Sequence, residues 1–413
     1  MKRTLAFMLL LVLTIVSVGT NALADYDSSQ NYTLSFYYWD ELQKPGMDAM
    51  IELFEAAYPN IKIESTIIPW NQYWTKMQTS LPSGTGPDVF WMNTYIWDYI
   101  EADLIYDITD KVASDGVDMS KYPQGVVNMY TDSDGRYYGI PKDFDTVAIC
   151  YNKAIFDELG VAYPTSEWTW DEFLKVCQDT TKDGYYGFCA SSEFQSCLSG
   201  FVYANDGTIS SDDLLTSTCA DPKTVEALQF VHDLMYVHSV SPSGAEQSEM
   251  LKDDMFIAGL IAMVPAGSWM VSSYYESIGD DLGVVEFPTK IDKGNITNGL
   301  VYSISSLSPN ADAAWEFVKF ASTYEAQAAT ASVVIPAYEG AAQGWLDAYP
   351  TLDLTSFITA VDYAQPAMAY AKNSTECETI FNETIATIWM DESADIQAMM
   401  DECQAKIQAV LDS

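Results

Sequence analysis

The chain is poor in basic residues. Its 413 residues include 19 Lys and Arg against 59 Asp and Glu, a formal net charge of −40 at pH 7. Nucleic acids and anionic lipid surfaces both require positively charged patches on a protein. The composition therefore argues against nucleic acid as a partner. The acidity serves solubility or, as a sharper alternative, the binding of a cationic solute.

Residues and motifs for metal and nucleotide chemistry are also scarce. The chain has two histidines, His232 and His238, which argues against a histidine-based metal site. Gly-x-Gly-x-x-Gly, Walker-type and Gly-x-Ser-x-Gly sequences are absent. Candidate calcium loops centred on Gly135 and Gly184 lack the ligand that should close them. We expect no cofactor, no metal and no catalytic residues.

Long apolar runs are confined to the N-terminus. Lys2 and Arg3 precede an apolar stretch at 5–18, and Asn-Ala-Leu-Ala follows at 21–24. This is the pattern of a secretory signal peptide, and the stretch is too short for a comfortable membrane anchor. We expect cleavage after Ala24 and an exported protein, in the periplasm or at the cell surface. No cysteine lies near that site, so the usual lipid acceptor (lipobox cysteine) is missing.

Cysteine is present in an odd number. The seven residues lie at 150, 177, 189, 197, 219, 377 and 403, and an exported chain permits disulfides without requiring them. Cys150 lies within an apolar run and is most simply a core residue. Cys177 with Cys189, and Cys197 with Cys219, are possible local pairs.

Apolar and aromatic residues are plentiful: 48% of the chain is hydrophobic, with 27 Tyr, 17 Phe and 11 Trp. Disorder is therefore excluded despite the charge, and the length favours two domains over one. Segments 33–39, 61–68 and 88–92 are typical of strands, with amphipathic helices expected between them. Strands that alternate with helices through short loops indicate an α/β fold with a mainly parallel sheet. Later segments repeat the pattern, and helices are expected at 223–237, from Trp269, at 311–329 and at the C-terminus.

Polar and aromatic residues cluster where the expected strands end. Ligands of open α/β sheets bind at such ends, and flat rings beside hydrogen-bonding groups suit sugars. Each residue taken alone has the competing interpretation of ordinary packing or a solvated loop. The set comprises Trp39, Asp40 and Glu41, Asn93 and Tyr95, Asp143 and Asp145, Tyr203 and Asn205, and Trp269.

Four motifs occur in an order that resembles the extracellular solute-binding proteins of ABC importers, in their maltose-binding-protein-like, sugar-binding cluster. They are Ser-Gly-Thr-Gly-Pro-Asp-Val-Phe-Trp-Met-Asn at 83–93, Tyr-Gly-Ile-Pro at 138–141 with Tyr-Asn-Lys at 151–153, Ala-Met-Val-Pro-Ala-Gly-Ser-Trp at 262–269, and Ser-Pro-Asn at 308–310 with Ala-Ala-Trp-Glu-Phe at 313–317.

The resemblance implies a two-lobed periplasmic-binding-protein fold (type II, Venus-flytrap), each lobe a mainly parallel sheet flanked by helices. It implies lobe 1 at 25–143 and 300–336, and lobe 2 at 144–299 and 337–413. It places Asp145 at the hinge as a carboxylate that binds sugar hydroxyls, and Trp269 as a stacking aromatic. Glu193, Tyr203, Asn205 and Asn298 are further implied ligand residues.

The implied function is capture of a mono- or oligosaccharide by hinge closure and its delivery to the permease subunits of an ABC importer, by a monomer. Two alternatives stay open. The same fold can bind a polyamine or another cation, as the acidity suggests. A secreted glycoside hydrolase would use two carboxylates, and Asp143 with Asp145 are candidates because they lie two residues apart.

Overall fold

The computed structural model describes residues 26–182, 184–367, 370 and 372–413. The expected signal peptide and its cleavage site lie outside these residues. Among the described residues, no helix is both long and apolar enough to cross a membrane. The strands are β1 Tyr32–Tyr38, β2 Ile61–Ile67, β3 Val89–Met92, β4 Ile140–Pro141, β5 Val147–Asn152, β6 Tyr186–Phe188, β7 Ile261–Gly267, β8 Leu282–Val285, β9 Ile296–Thr297, β10 Val301–Ile304 and β11 Gln365–Pro366.

The helices confirm most of the expected segments. The segment 311–329 forms two helices instead of one, and a short 3-10 turn at Ser268–Met270 precedes the helix expected from Trp269. The α-helices are α1 Lys44–Ala57, α2 Trp70–Ser80, α3 Ile96–Glu101, α4 Thr109–Asp115, α5 Gln124–Met129, α6 Lys153–Leu159, α7 Trp170–Thr180, α8 Ser199–Ala204, α9 Pro222–Tyr236, α10 Gly244–Glu249, α11 Lys252–Ile257, α12 Val271–Ile278, α13 Ala311–Ala321, α14 Tyr324–Thr330, α15 Gln343–Ala348, α16 Thr355–Ala360, α17 Ser374–Trp389 and α18 Ile396–Leu411.

The first lobe is built on a five-stranded sheet in the order β2-β1-β3-β10-β4. The strand β1 pairs in parallel with β2 and β3, and β10 runs antiparallel to β3 and β4. Leu34, Phe36 and Tyr38 alternate along β1 and are fully buried, the period of two expected when one face of a strand meets a helical layer. The core of this lobe continues through α1 and α13, with Met47, Phe54 and Phe317.

The second lobe has a four-stranded sheet in the order β6-β7-β5-β8. Here β5 pairs antiparallel with both β7 and β8, and β6 with β7 is the parallel pair. The α/β, two-lobed fold is confirmed, but a mainly parallel sheet is wrong for this lobe. The error arose because fully buried parallel and antiparallel strands both give continuous apolar runs.

Helices α17 and α18 complete the core of the second lobe. They pack as a pair, and Cys377 and Phe381 of α17 with Met400 and Ile407 of α18 are buried in the same cluster as Phe188 and Phe201. The C-terminal stripe of apolar residues therefore serves packing, as its helical spacing predicts.

Three segments of the chain run side by side between the sheets, at 142–146, 297–300 and 335–337. The amide of Lys142 donates to Leu300 O at 2.8 Å, and the amide of Phe144 to Ile335 O at 3.1 Å. Asp145 and Asn298 exchange two backbone hydrogen bonds, at 2.7 and 2.9 Å. The crossing is therefore a small sheet of its own. The proposed lobe boundaries at 143/144 and 299/300 stay a prediction, as does the one at 336/337.

A buried ion pair stands at this crossing. The side chains of Lys142 and Asp143 are 1% and 0% exposed and are joined by a hydrogen bond. The Lys142 ammonium also donates to Gln43 Oε1 at 2.7 Å and lies 4.2 Å from the centre of the Trp91 ring. Asp143 Oδ1 accepts the amide of Leu300 at 2.9 Å. Every charge in the network is thus compensated, as burial of charge requires.

We predict that Asp143→Ala destabilises the fold by about 3–5 kcal/mol, because it leaves Lys142 buried and unpaired. Urea unfolding followed by tryptophan fluorescence measures the change. Asp134→Ala is the matched control, since it removes an exposed pair with Arg136 at 3.2 Å and should change stability by at most ~1 kcal/mol. Equal losses in the two variants would contradict this account.

Candidate functional site

A cluster of aromatic rings lies where β1 and β3 of the first lobe end. Trp39 follows β1, and its ring centre is 5.2 Å from that of Trp70 and 5.7 Å from that of Trp74. Tyr95 follows β3 and lies 4.8 Å from Trp74. Trp70 remains 46% exposed, so the cluster presents an apolar wall to solvent. Such rings offer large flat contact area at low conformational cost.

Trp70 and Trp74 were not among the predicted site residues. Their spacing of four places them on one face of α2, with ring centres 5.3 Å apart. The signal that could have found them is this spacing, directly after a strand whose end already carried ligand candidates. From the sequence, the segment of α2 is interpreted only as a helix.

Asp145 lies at the crossing, near the first residues after β7. Its carboxylate accepts the Ser268 hydroxyl at 2.5 Å, and Ser268 directly precedes Trp269, which is partly buried. Burial and the Asp143 carboxylate raise the pKa of Asp145, while the Ser268 hydrogen bond lowers it. The charge of Asp40, from the first lobe, adds to the rise. Asp145 thus faces groups from both lobes.

Asn298 pairs with Asp145 through its backbone, but its side chain is not satisfied. Its Oδ1 atom is buried and has no hydrogen-bond partner among the described residues. Buried carbonyl oxygens are normally paired. An unpaired acceptor beside Asp145 is the feature expected of a group that receives a ligand hydroxyl.

The two lobes meet directly at the N-terminus of α17. Its N-cap residue, Asn373, makes no side-chain capping hydrogen bond. Asp98 of α3 supplies one from the first lobe: its carboxylate accepts the amide of Ser374 at 3.2 Å and the hydroxyl of Thr375. A carboxylate at a helix N-terminus is stabilising through both hydrogen bonding and the helix dipole. The contact therefore holds the lobes together.

Glu378, one turn further along α17, lies near Tyr95 of the first lobe. Burial raises the pKa of Glu378 from 4.5 to about 7, the Tyr95 hydroxyl opposes this rise, and the Asp98 charge adds to it. Glu378 was missed because nothing in its local sequence distinguishes it from the other acids of α17. It is brought to the site by the fold, 283 positions beyond Tyr95 (378 − 95).

Several predicted residues have structural partners in the fold. Asp40 caps a 3-10 turn through the amide of Leu42, and Asn93 accepts the amide of Tyr95 at 2.9 Å. Glu41 and Glu193 are exposed, and Glu193 forms an ion pair with Lys252 at 3.2 Å. A ligand role for Asp40, Glu41, Asn93 and Glu193 therefore stays a prediction.

Two predicted ligand residues are buried and engaged with partners within the fold. Asp143 is 0% exposed and is committed to Lys142 and the amide of Leu300. Asn205 is 1% exposed and donates to Lys223 O at 2.9 Å and to Glu226 at 3.0 Å. The position of these residues in the sequence does not reveal which way their side chains turn.

Tyr203 lies apart from the tryptophan wall. Its ring centre is 6.1 Å from that of Phe194, and it lines a cavity of about 750 Å³ with Asn128 and Met129 of the first lobe. Its ligand role stays a prediction. Among the described residues, no group of three His, Cys, Asp or Glu side chains is placed to hold a metal ion.

Comparison with known proteins decides the family. The model of the bacterial extracellular solute-binding proteins matches residues 37–328. The chain belongs to this family. Among curated relatives, the galactooligosaccharide-binding protein of Bacillus subtilis is 23% identical over 303 residues, covering 68% of this chain and 67% of that protein. The maltotriose-binding protein of Pyrococcus abyssi is 26% identical over 258 residues, covering 60% and 53%.

Solved structures of the same kind are similar over nearly the whole chain. An ABC substrate-binding protein from Listeria monocytogenes in complex with cycloalternan has a TM-score of 0.86 and 25% identity, with 93% of this chain and all of that one covered. The GacH receptor of Streptomyces glaucescens has a TM-score of 0.80 and 20% identity, with coverage of 93% and 99%. As a member of an extracellular solute-binding family, this protein is exported.

The Glu378 carboxyl should make stability depend on pH. Its folded pKa of about 7 exceeds its usual 4.5, so the folded protein holds a proton that the unfolded chain loses above about pH 4.5. Its contribution to stability therefore falls as pH rises from about 4.5 to 7 and is constant above. Relative to wild type, Glu378→Gln should be more stable at pH 8 than at pH 5, by on the order of 1–3 kcal/mol.

Urea unfolding of both proteins across that range measures the difference. The control is Glu376→Gln, an exposed position in the same turn of α17, whose difference from wild type should stay flat. A flat difference for Glu378→Gln as well would contradict the assignment.

Proposed function

We propose that this protein captures an oligosaccharide between its two lobes and delivers it to the permease of an ABC importer. The observation that carries the proposal is the tryptophan wall of Trp39, Trp70 and Trp74 on the first lobe, together with the carboxyl groups of Asp145 at the crossing and of Glu378 on α17. A pyranose ring stacks its C–H face on such a wall, and its hydroxyls donate to the carboxylates and to Asn298.

The names of its relatives support a carbohydrate ligand. The curated relatives bind galactooligosaccharides and maltotriose, and the Listeria protein holds cycloalternan. These ligands are neutral and built from several sugar units. Trp70 is 46% exposed and can stack on a pyranose, while the half-buried rings of Trp39 and Trp74 pack edge-to-face or tilted beside it.

Capture proceeds by a shift in population between open and closed forms. Contacts between Asp98 and α17, and between Tyr95 and Glu378, exist when the lobes are together. A ligand that touches both lobes stabilises this closed form by its differential affinity. The closed form would be the one that the permease recognises. We expect the protein to act as a monomer.

The two alternatives make different demands on the site. A hydrolase that uses Asp143 and Asp145 is not supported, because Asp143 is buried in an ion pair at the crossing. Incubation with oligosaccharides and analysis of products tests for any turnover. A polyamine would also satisfy Asp145 and Glu378, but an aliphatic polyamine leaves most of the tryptophan wall without a partner. A thermal-shift screen of oligosaccharides against polyamines separates these ligands, and a response to polyamines alone would refute the carbohydrate proposal.

We predict that Asp145→Ala weakens binding of the oligosaccharide found in the screen by roughly 10- to 100-fold, since hydrogen bonds to a charged group contribute about 1.5–3 kcal/mol. Trp70→Ala should weaken it about tenfold through lost stacking. Isothermal titration calorimetry measures both. Tyr324→Ala is the matched control, as Tyr324 is a 53% exposed aromatic residue on α14 and should leave affinity unchanged. Unchanged affinity in Asp145→Ala and Trp70→Ala would place the site elsewhere.

We further predict that Asp98→Ala weakens binding of the same oligosaccharide by roughly 3- to 30-fold. Loss of a helix cap costs about 0.5–2 kcal/mol, and this cap forms between the two lobes. Small-angle X-ray scattering should show less compaction at a given ligand concentration. Asp110→Ala removes an exposed carboxylate from the first turn of α4 and should bind as wild type does. Identical titrations for Asp98→Ala and wild type would remove the cap from the closing mechanism.

A further inference from the structure

The segment 209–220 of the second lobe is fastened to the last helix of the chain. Gln404 Oε1 of α18 accepts the amide of Ala220 at 3.0 Å, and Gln408 Oε1 accepts the amide of Ser217 at 3.0 Å. The hydroxyls of Ser217 and Tyr370 are 2.9 Å apart beneath this contact. The two stretches of chain are therefore held in fixed register, although they are far apart in sequence.

Two cysteines meet within this interface. Cys219 is 0% exposed and Cys403 of α18 is 1% exposed. They flank the two hydrogen bonds just described, because Cys219 lies between Ser217 and Ala220 and Cys403 directly precedes Gln404, and both belong to one hydrophobic cluster. The Ser217 hydroxyl donates a hydrogen bond to Cys219 Sγ at 3.4 Å. All seven cysteines are free thiols in the structure, so the two neighbouring side chains have no bond between them.

Cys403 is buried directly beneath a surface groove. It lies in the wall of a groove of about 290 Å³ between α17 and α18, with Glu383, Thr384 and Lys406. The neighbouring Cys219 thiol, with help from Lys406, lowers the pKa of the Cys403 thiol, whereas the pKa of Cys219 is raised by Cys403 and by burial. Cys403 is thus the more acidic of the two thiols and the one nearer the groove.

We propose that Cys219 and Cys403 form a disulfide bond once the protein has been exported. The inference combines the packing of the Cys219 segment against α18 beside Cys403, the groove lined by Cys403 and the oxidising conditions that exported proteins meet. It does not depend on the identity of the ligand. The possible pairing of Cys197 with Cys219 is replaced, because the thiol partner of Cys219 is Cys403.

The oxidant is a low-molecular-weight or protein disulfide, R–S–S–R. The Cys403 thiolate attacks one of its sulfurs, which forms a mixed disulfide and releases one R–S⁻. Cys219 then loses its proton, attacks Cys403 Sγ and releases the second R–S⁻. The released thiolates take up the two protons from Cys219 and Cys403. The protein loses two hydrogen atoms, and the disulfide oxidant is reduced to two R–SH.

The chain offers a matched control in Cys377. It is a buried cysteine of α17 in the same hydrophobic cluster as Cys219 and Cys403. A bond specific to Cys219 and Cys403 should survive Cys377→Ser and be lost in both Cys219→Ser and Cys403→Ser.

The test begins with full-length exported protein, oxidised with glutathione disulfide, quenched with acid, denatured and labelled with N-ethylmaleimide. Peptide mass spectrometry should find five labelled cysteines, the seven free thiols less two, and one linked peptide pair containing Cys219 and Cys403. Seven labelled cysteines, or a linked pair joining other residues, would overturn the proposal.

Melting temperature gives a second measurement that does not require the serine variants to fold. Oxidised wild type and Cys377→Ser should each melt several degrees above their reduced forms, because the bond closes a long loop. Cys219→Ser and Cys403→Ser, where they fold, should show no such shift. A shift that persists in Cys403→Ser would assign the stabilisation to another pair and contradict the proposal.

Discussion

The compensated charge of Lys142 and Asp143 at the crossing is the constraint on which the site depends. A buried ion pair is stable only when every charge and lone pair in it is satisfied. Here Gln43 and Trp91 satisfy the ammonium from the first lobe, and the amide of Leu300 satisfies the carboxylate from the returning strand. The pair therefore fixes two of the three crossing segments relative to the first sheet. Asp145, two residues on, is positioned by that rigidity.

The same chemistry explains why two neighbouring aspartates differ in role. Asp143 has a cation beside it and no access to solvent, so it is a structural anion. Asp145 has a hydroxyl partner, a second carboxylate nearby and residual exposure of 9%. Its charge is incompletely compensated within the protein. Donors from a polyhydroxylated ligand would complete the compensation, and the unpaired acceptor of Asn298 lies next to it.

Sequence reasoning succeeded where the relevant pattern is local. Alternation in β1 predicted the strand, and Trp39 and Tyr95 follow the ends of β1 and β3 as expected. It failed where the deciding fact is tertiary. The burial of Asp143 and Asn205, the antiparallel pairing of β5 and the arrival of Glu378 beside Tyr95 all depend on contacts between distant segments. No spacing rule brings Cys219 to Cys403, which are 184 positions apart (403 − 219).

The C-terminal helix pair connects these findings. One end of α17 meets Asp98 and Tyr95 of the first lobe, while its apolar face, with Cys377 and Phe381, is part of the core of the second. The position of the N-terminus of α17 therefore depends on how α17 and α18 pack against the rest of the second lobe. Segment 209–220 is hydrogen-bonded to α18 through Gln404 and Gln408. A bond between Cys219 and Cys403 would therefore make the α17–α18 pair more rigid relative to the second lobe. Oxidation would then act on closure without altering any group that touches the ligand.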